Sequence, residues 1–259
     1  MSIRNSNLSP DLDLARRIEF HEAWSSSEHA LTQTRLYPET GAVTMPLADG
    51  CLVYCGKKSP LNQVIGWGLS GPVLTSDLHR IEAFYRSRGL PPRVRVCPLA
   101  DPTLPQLLGQ LGYIVQDQMN VYARHVDADD VDAIEVESPF HPDVRIRIAT
   151  PDEVALWFRQ AGAGGDWAEP DGLAFMQIRC ALKSETAFFL AWQMGRAVSG
   201  GALEIHNGVA SLMAAETLPA FRNQGIHTAL LHARLMAAAK AGCDLAMVHT
   251  RPGAVSQGN

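Results

Sequence analysis

One stretch of the chain leaves little freedom in how its second half can fold. Residues 209–218 alternate in the manner of a strand, and Pro219 ends further ladder pairing. After Gly225 the residues Ala229, Leu230, Ala233, Met236, Ala237 and Lys240 recur at helical spacing up to an Ala241-Gly242 stop. A strand is therefore converted into a helix over a handful of residues, which brings the helix N-terminus to the strand's end. Such a turn can grip phosphate when its N–H groups converge, a glycine permits close approach and the helix dipole favours negative charge. Gly225 supplies the glycine, and Arg222 adds a planar positive fork. A plainer reading stays open here: Gly225 eases a tight strand-to-helix join and Arg222 is solvated.

The chain of 259 residues is long enough for one large domain or two ordinary ones, and 46% hydrophobic against 19% charged residues marks a globular protein with a real core. A formal net charge of −5 without a basic cluster argues against nucleic acid as a partner. The first seven residues lack the apolar core of a signal peptide, and no run approaches the roughly 20 apolar residues of a membrane span, so no membrane partner and a cytoplasmic location are expected. Five cysteines without a CxxC pair point to reduced core residues. No HExxH or similar histidine pair occurs, so no metal is expected.

Residues 126–143 are acidic and punctuated by proline, as a linker is, and they divide the chain nearly in half. In the second half, Val144, Ile146 and Ile148 alternate as a strand, and Thr150-Pro151-Asp152-Glu153 opens a helix. A glycine-rich loop and a second helical stretch at 173–182 come next, followed by strands at 186–193, 197–205 and 209–218. After the loop and its helix comes a short buried run at 245–248. The first half predicts a helix from Ser9-Pro10-Asp11, strands at 42–45, 51–54 and 64–69, and a helix from Thr75 to Gly89. A strand at 94–96, a short helix at 105–111 and closing strands within 113–123 complete it.

The run Pro219-x-x-Arg222-x-x-Gly225-x-His227 resembles the acyl-CoA pyrophosphate loop of the GNAT superfamily of N-acyltransferases, usually Arg or Gln, two residues, Gly, one residue, then Gly or Ala. His227 stands where that family has the small residue. The similarity covers 144–259 well and the first half in outline, where residues 69–74 offer no arginine and no such spacing. It implies an α/β (α+β mixed sheet) chain of two tandem GNAT-like acyl-CoA N-acyltransferase domains. These would be a degenerate domain at 1–126, a linker at 127–143 and an acetyl-CoA-binding domain at 144–259 that stops before the family's last helix and strands. Either the chain is cut short, or another segment covers the sheet edge left bare.

The resemblance also assigns roles. Leu218, Arg222, Asn223, Gln224, Gly225, Ile226, His227 and Thr228 would hold acetyl-CoA, and Asn259, with Ser256, resembles a position where the family's asparagine often touches CoA. The family often uses a carboxylate on the strand before the loop as general base, and that strand's amides to pair with pantetheine and the thioester carbonyl. Alternation places Ala214, Glu216 and Leu218 on one face, and Glu216 is the base expected; a solvated strand-end carboxylate is the other reading. Glu204 and His206 are secondary candidates, although His206-Asn207-Gly208 also reads as a hairpin turn. Trp157, Phe158, Trp167, Phe175 and Met176 lie where the family walls its acceptor pocket, and also where core residues are expected. The implied activity is N-acetyl transfer from acetyl-CoA to a primary amine of a small molecule, with a non-catalytic CoA-binding or sensing module as the alternative. A homodimer is compatible with either.

Overall fold

The computed structural model describes residues 8–48, 50–126, 136–138, 141–161 and 186–253. They fall into two compact units, one spanning Ser9–Asp117 and the other comprising Leu8 and the described residues from Gln118 onward.

In the Ser9–Asp117 unit, helix α1 (Leu12–Leu36) begins at Asp11, whose carboxylate accepts the Leu14 N–H at 2.9 Å, a side-chain cap of the expected kind. Strands β1 (Val43–Leu47), β2 (Gly50–Tyr54) and β3 (Gln63–Ile65) form an antiparallel sheet in that order. Side chains alternate across β2. Cys51 and Val53 pack with Ala30 of α1, whereas Leu52 packs with Leu78 and Ile81 of α2 (Thr75–Arg86) and Leu104 of α3 (Thr103–Gln110). The sheet is thus covered on both faces. The expected strand at 94–96 is reduced to a single bridge between Val64 and Val94, because Pro91, Pro92 and Pro98 bracket it and supply no donors.

The second unit is built on a seven-stranded sheet in the order β4-β10-β9-β8-β7-β6-β5. Its strands are β4 (Asn120–His125), β5 (Val136–Ser138), β6 (His141–Ile148), β7 (Thr186–Gln193), β8 (Arg196–His206), β9 (Val209–Thr217) and β10 (Leu245–Thr250). Helix α4 (Pro151–Ala161) starts with a reciprocal cap: Glu153 N–H reaches Thr150 Oγ1 at 3.4 Å, and Thr150 N–H reaches the Glu153 carboxylate at 2.9 Å. Its Val154 and Trp157 pack on one sheet face with Phe188, Leu190, Ala202 and Leu218. Helix α5 (Ile226–Lys240) covers the other face, where Ile226, Ala229, Leu230 and Ala233 meet Phe189, Val198, Leu203, Ala210 and Leu212. Alanines on this helix let it lie close to the strands.

Two elements depart from the sequence expectation. The closing strand expected at the end of the first half belongs to the second unit's sheet: β4 pairs antiparallel with β10 over its whole length, from Leu245↔His125 to Thr250↔Asn120. The bare edge foreseen beside β10 is covered by this upstream segment. Residues 113–119 form no strand. Part of the expected linker is likewise sheet, since Val136 pairs with Ile146 and Glu137 with Arg145. Alternating apolar residues reveal a strand without naming its partner, which here lies far along the chain.

Candidate functional site

Strands β9 and β10 run parallel but are paired over only three positions, Leu245↔Val209, Ala246↔Ala210 and Met247↔Ser211. Beyond Ser211 they part. From Val248 onward β10 keeps β4 as partner, while β9 keeps β8, so a wedge opens between two strands that, among the described residues, have no second partner strand there. The wedge coincides with a bulge. Ala202 faces Met213 and Gly200 faces Glu216, so Ala214 and Ala215 together oppose Gly201, and Ala214 has φ +51°. Across the wedge, Thr250 of β10 is buried with its Oγ1 unpartnered among the described residues.

At the open end of the wedge, β9 leads through Leu218 into a single 3₁₀ turn, Pro219–Phe221, and then into α5. Phe221 N–H is taken by Leu218 O and Arg222 N–H by Pro219 O. From there the pairing lapses: among the described residues no acceptor takes the N–H groups of Asn223, Gln224, Gly225, Ile226, His227 or Thr228. Asn223 and Gly225 lie at φ +61° and +73°, left-handed conformations that turn successive amides toward one side, and Gly225 is the residue that precedes α5. A nest of amides at the start of a fifteen-residue helix fits a diphosphate. Arg222 is exposed and is tethered by its Nε to Thr217 O at 3.0 Å, which places its guanidinium at the strand-to-loop corner. Leu218 has no amide to offer a ligand: its N–H goes to Val198 O and its side chain is core. His227 is half-buried, and burial, then the charge of Arg234, hold its imidazole below the usual histidine range.

Glu216 is half-buried and faces the α4 side, since it pairs with Gly200 and a side chain at Gly200 would point at Trp157. Ala214 and Leu218 pack into the same cluster, so the expected grouping of 214, 216 and 218 holds despite the bulge. Glu204 lies elsewhere. It is fully buried, faces Ser211 and receives the Thr186 hydroxyl at 3.4 Å, about 13 Å along β8 from Gly200 at a strand's usual rise. His206 precedes a two-residue hairpin whose Asn207 and Gly208 have φ +47° and +75°, the turn that Asn-Gly predicts. Trp157 is 2% exposed and part of the core. Trp167, Phe175, Met176, Ser256, Asn259 and the side chain of Phe158 lie outside the described residues. No cluster of metal-ligating side chains occurs among the described residues, and none of their helices is long and apolar enough to cross a membrane.

A solved structure described as a GCN5-related N-acetyltransferase from Kribbella flavida aligns with a TM-score of 0.60 over 89% of this chain and 88% of its own, at 16% identity. This is the GNAT fold. A GCN5-related N-acetyltransferase from Sphaerobacter thermophilus aligns over 96% of this chain and 88% of its own, with a TM-score of 0.55 and 15% identity. A functionally unknown conserved protein from Staphylococcus epidermidis gives 0.51 over 87% and 89%, at 12% identity. No family profile and no curated protein sequence matches the chain. The likeness is thus one of fold.

Turn chemistry and alternation put the loop between β9 and α5 and Glu216 on the α4 side, as the structure has them, but passed over the wedge and Arg234. Three-residue pairing between β9 and β10 leaves no mark in either strand's composition. Arg234 does leave one, because it stands at i+4 from Leu230 on the helix face that the structure buries together with Ala229, Ala233 and Ala238.

Proposed function

We propose that the protein is an N-acyltransferase that carries an acetyl group from acetyl-CoA to a primary amine of a small molecule by direct attack. The observation that carries this reading is the wedge between β9 and β10 ending at the amides of 223–228, which no acceptor takes among the described residues, at the N-terminus of α5. A donor with an extended amide-bearing arm and a diphosphate matches both: the arm can pair with the wedge-facing main chain of β9, and the diphosphate with the amides of 223–228 and the guanidinium of Arg222. Glu216, which lies beside the bulge on the α4 side, would take a proton from the incoming ammonium, directly or through water. The amine nitrogen then bonds to the thioester carbon, the carbon–sulfur bond breaks, the extra proton on the new amide nitrogen passes to the leaving thiolate directly or through water, and the protonated base returns its proton to solvent. The free thiols of Cys51, Cys97 and Cys243 suit a reducing, cytoplasmic setting. We read the Ser9–Asp117 unit as a degenerate GNAT-like copy without a phosphate loop.

Two measurements test the reading. Acetyl-CoA should raise the melting temperature, because a ligand that binds only the folded state stabilises it; no shift at a large excess refutes cofactor binding. Thiol release with a panel of small amines should exceed the hydrolysis background. Binding without release would replace the enzyme by a CoA-binding module.

A further inference from the structure

Neither the proposed grip nor the proposed base uses the buried charge on α5. Arg234, in the third turn of α5, is 1% exposed. Arginine is almost never fully buried unless paired with a carboxylate, yet none pairs with Arg234 among the described residues. Its donors go to main-chain carbonyls instead. Nε reaches Leu230 O at 3.2 Å within the helix, and Nη1 reaches Ala202 O at 3.1 Å and Met213 O at 3.4 Å in the sheet. Ala202 and Met213 are the paired residues that border the bulge. A bulge leaves ladder groups unpaired, and here the guanidinium, linking β8 to β9, serves two carbonyls at that point. Gly201, opposite the bulge, makes room for it: a Cβ there would lie 2.9 Å from Nη1 and 3.0 Å from Cζ. Burial pulls the group down to about 10, so it stays charged at neutral pH. A buried cation without a counter-ion is costly, and a packed apolar side chain would serve stability better.

We infer that Arg234 is a positioning residue for acyl transfer: by clamping the bulge at 213–215 it holds the wedge-facing main chain of β9 where the thioester would lie. The inference rests on the proposed function and deepens it. The amide nest sits at the other end of this helix stretch, about 12 Å from Arg234 at 1.5 Å per residue. The clamp should therefore govern turnover and leave the cofactor grip alone.

The test uses the full chain with Arg234→Gln, Arg234→Lys and Gly201→Ala, the last crowding the guanidinium without replacing it. Hydrogen exchange of the Ala214 and Ala215 amides should quicken by about tenfold or more in Arg234→Gln and Gly201→Ala, and stay near parental in Arg234→Lys. With folded variants, kcat for thiol release should fall by about tenfold or more in Arg234→Gln while the acetyl-CoA dissociation constant changes less than about threefold, and lysine should restore part of kcat. Unchanged exchange and kcat in Arg234→Gln, or a fall in kcat matched by an equal loss of affinity, overturns the inference. Should Arg234→Gln fail to fold, Gly201→Ala carries the same two readings. A parent protein that neither binds nor turns over acetyl-CoA defeats the proposed function itself, whereas an active parent with indifferent variants defeats only the role of Arg234.

Discussion

Replacing Gly200 with alanine should destabilise the second unit although it adds a single methyl group. An ideal Cβ at this position would lie 2.6 Å from Trp157 Nε1, 2.7 Å from Trp157 Cε2 and 2.9 Å from Leu190 Cδ2. Trp157 is 2% exposed and Leu190 1%, so neither can retreat into solvent, and a rigid indole cannot bend aside. Overpacking of this kind costs about 1–3 kcal/mol. The alanine recovers about 0.4–1 kcal/mol by restricting the unfolded chain, which leaves a net loss of about 1–2 kcal/mol. For a unit of this size that corresponds to a fall in Tm of about 3–8 °C. Thermal melts followed by tryptophan fluorescence measure it. Gly109→Ala is the control: it lies in α3, nothing stands within 4 Å of its added Cβ, and it should leave Tm unchanged or raise it. A Gly200→Ala protein that melts at or above the parent, with the control behaving as stated, would refute the packing of α4 on β8. Because Glu216 pairs with Gly200, thiol release should drop in the same variant.

Gly225→Val forces a branched side chain to φ +73° and fills the approach to the amides, so acetyl-CoA binding should be lost by calorimetry; parental affinity would remove the loop from the site. Arg222→Ala should weaken that binding by about 1.5–3 kcal/mol, the range for a hydrogen bond to a charged group. Glu216→Gln should keep cofactor affinity and lower kcat by about 10²–10⁴-fold in steady-state assays, and unchanged turnover across pH would discharge Glu216 as base. His227 has a folded pKa below its unfolded one, so the folded state binds its proton less readily and stability should decline as pH falls through 6.5 toward 5. In urea melts His227→Gln should lessen that decline, and an identical slope in both proteins would contradict the burial of the ring.

Local chemistry was legible from the residues wherever it acts between near neighbours. Asp11 caps α1, Thr150 and Glu153 cap α4, Asn207-Gly208 turns the hairpin, and Pro219 with Gly225 makes the strand-to-helix corner, because each effect spans a few residues. Glu216 could be placed on its face by alternation alone, the bulge notwithstanding. What escaped was set by contacts across the fold. The identity of the β10 partner, the point where β9 and β10 separate and the bulge at 214–215 follow from how strands meet, which pattern does not encode. Arg234 escaped for a related reason. Charge on a helix normally means solvent, and the carbonyls of Leu230, Ala202 and Met213 that take its N–H groups are distant from anything the helix pattern shows or are hidden in the helix itself.

The union of β4 with β10 has a consequence for how the chain matures on the ribosome. Residues 120–125 leave the exit tunnel more than a hundred residues before 245–250 do, which at about 5–20 residues per second is a wait on the order of ten seconds. Throughout that interval a nascent strand with Val121 and Tyr122 among its residues has no mate. Chaperone occupancy at this segment, and failure of products interrupted before residue 245 to stay soluble, are what such a delayed closure entails.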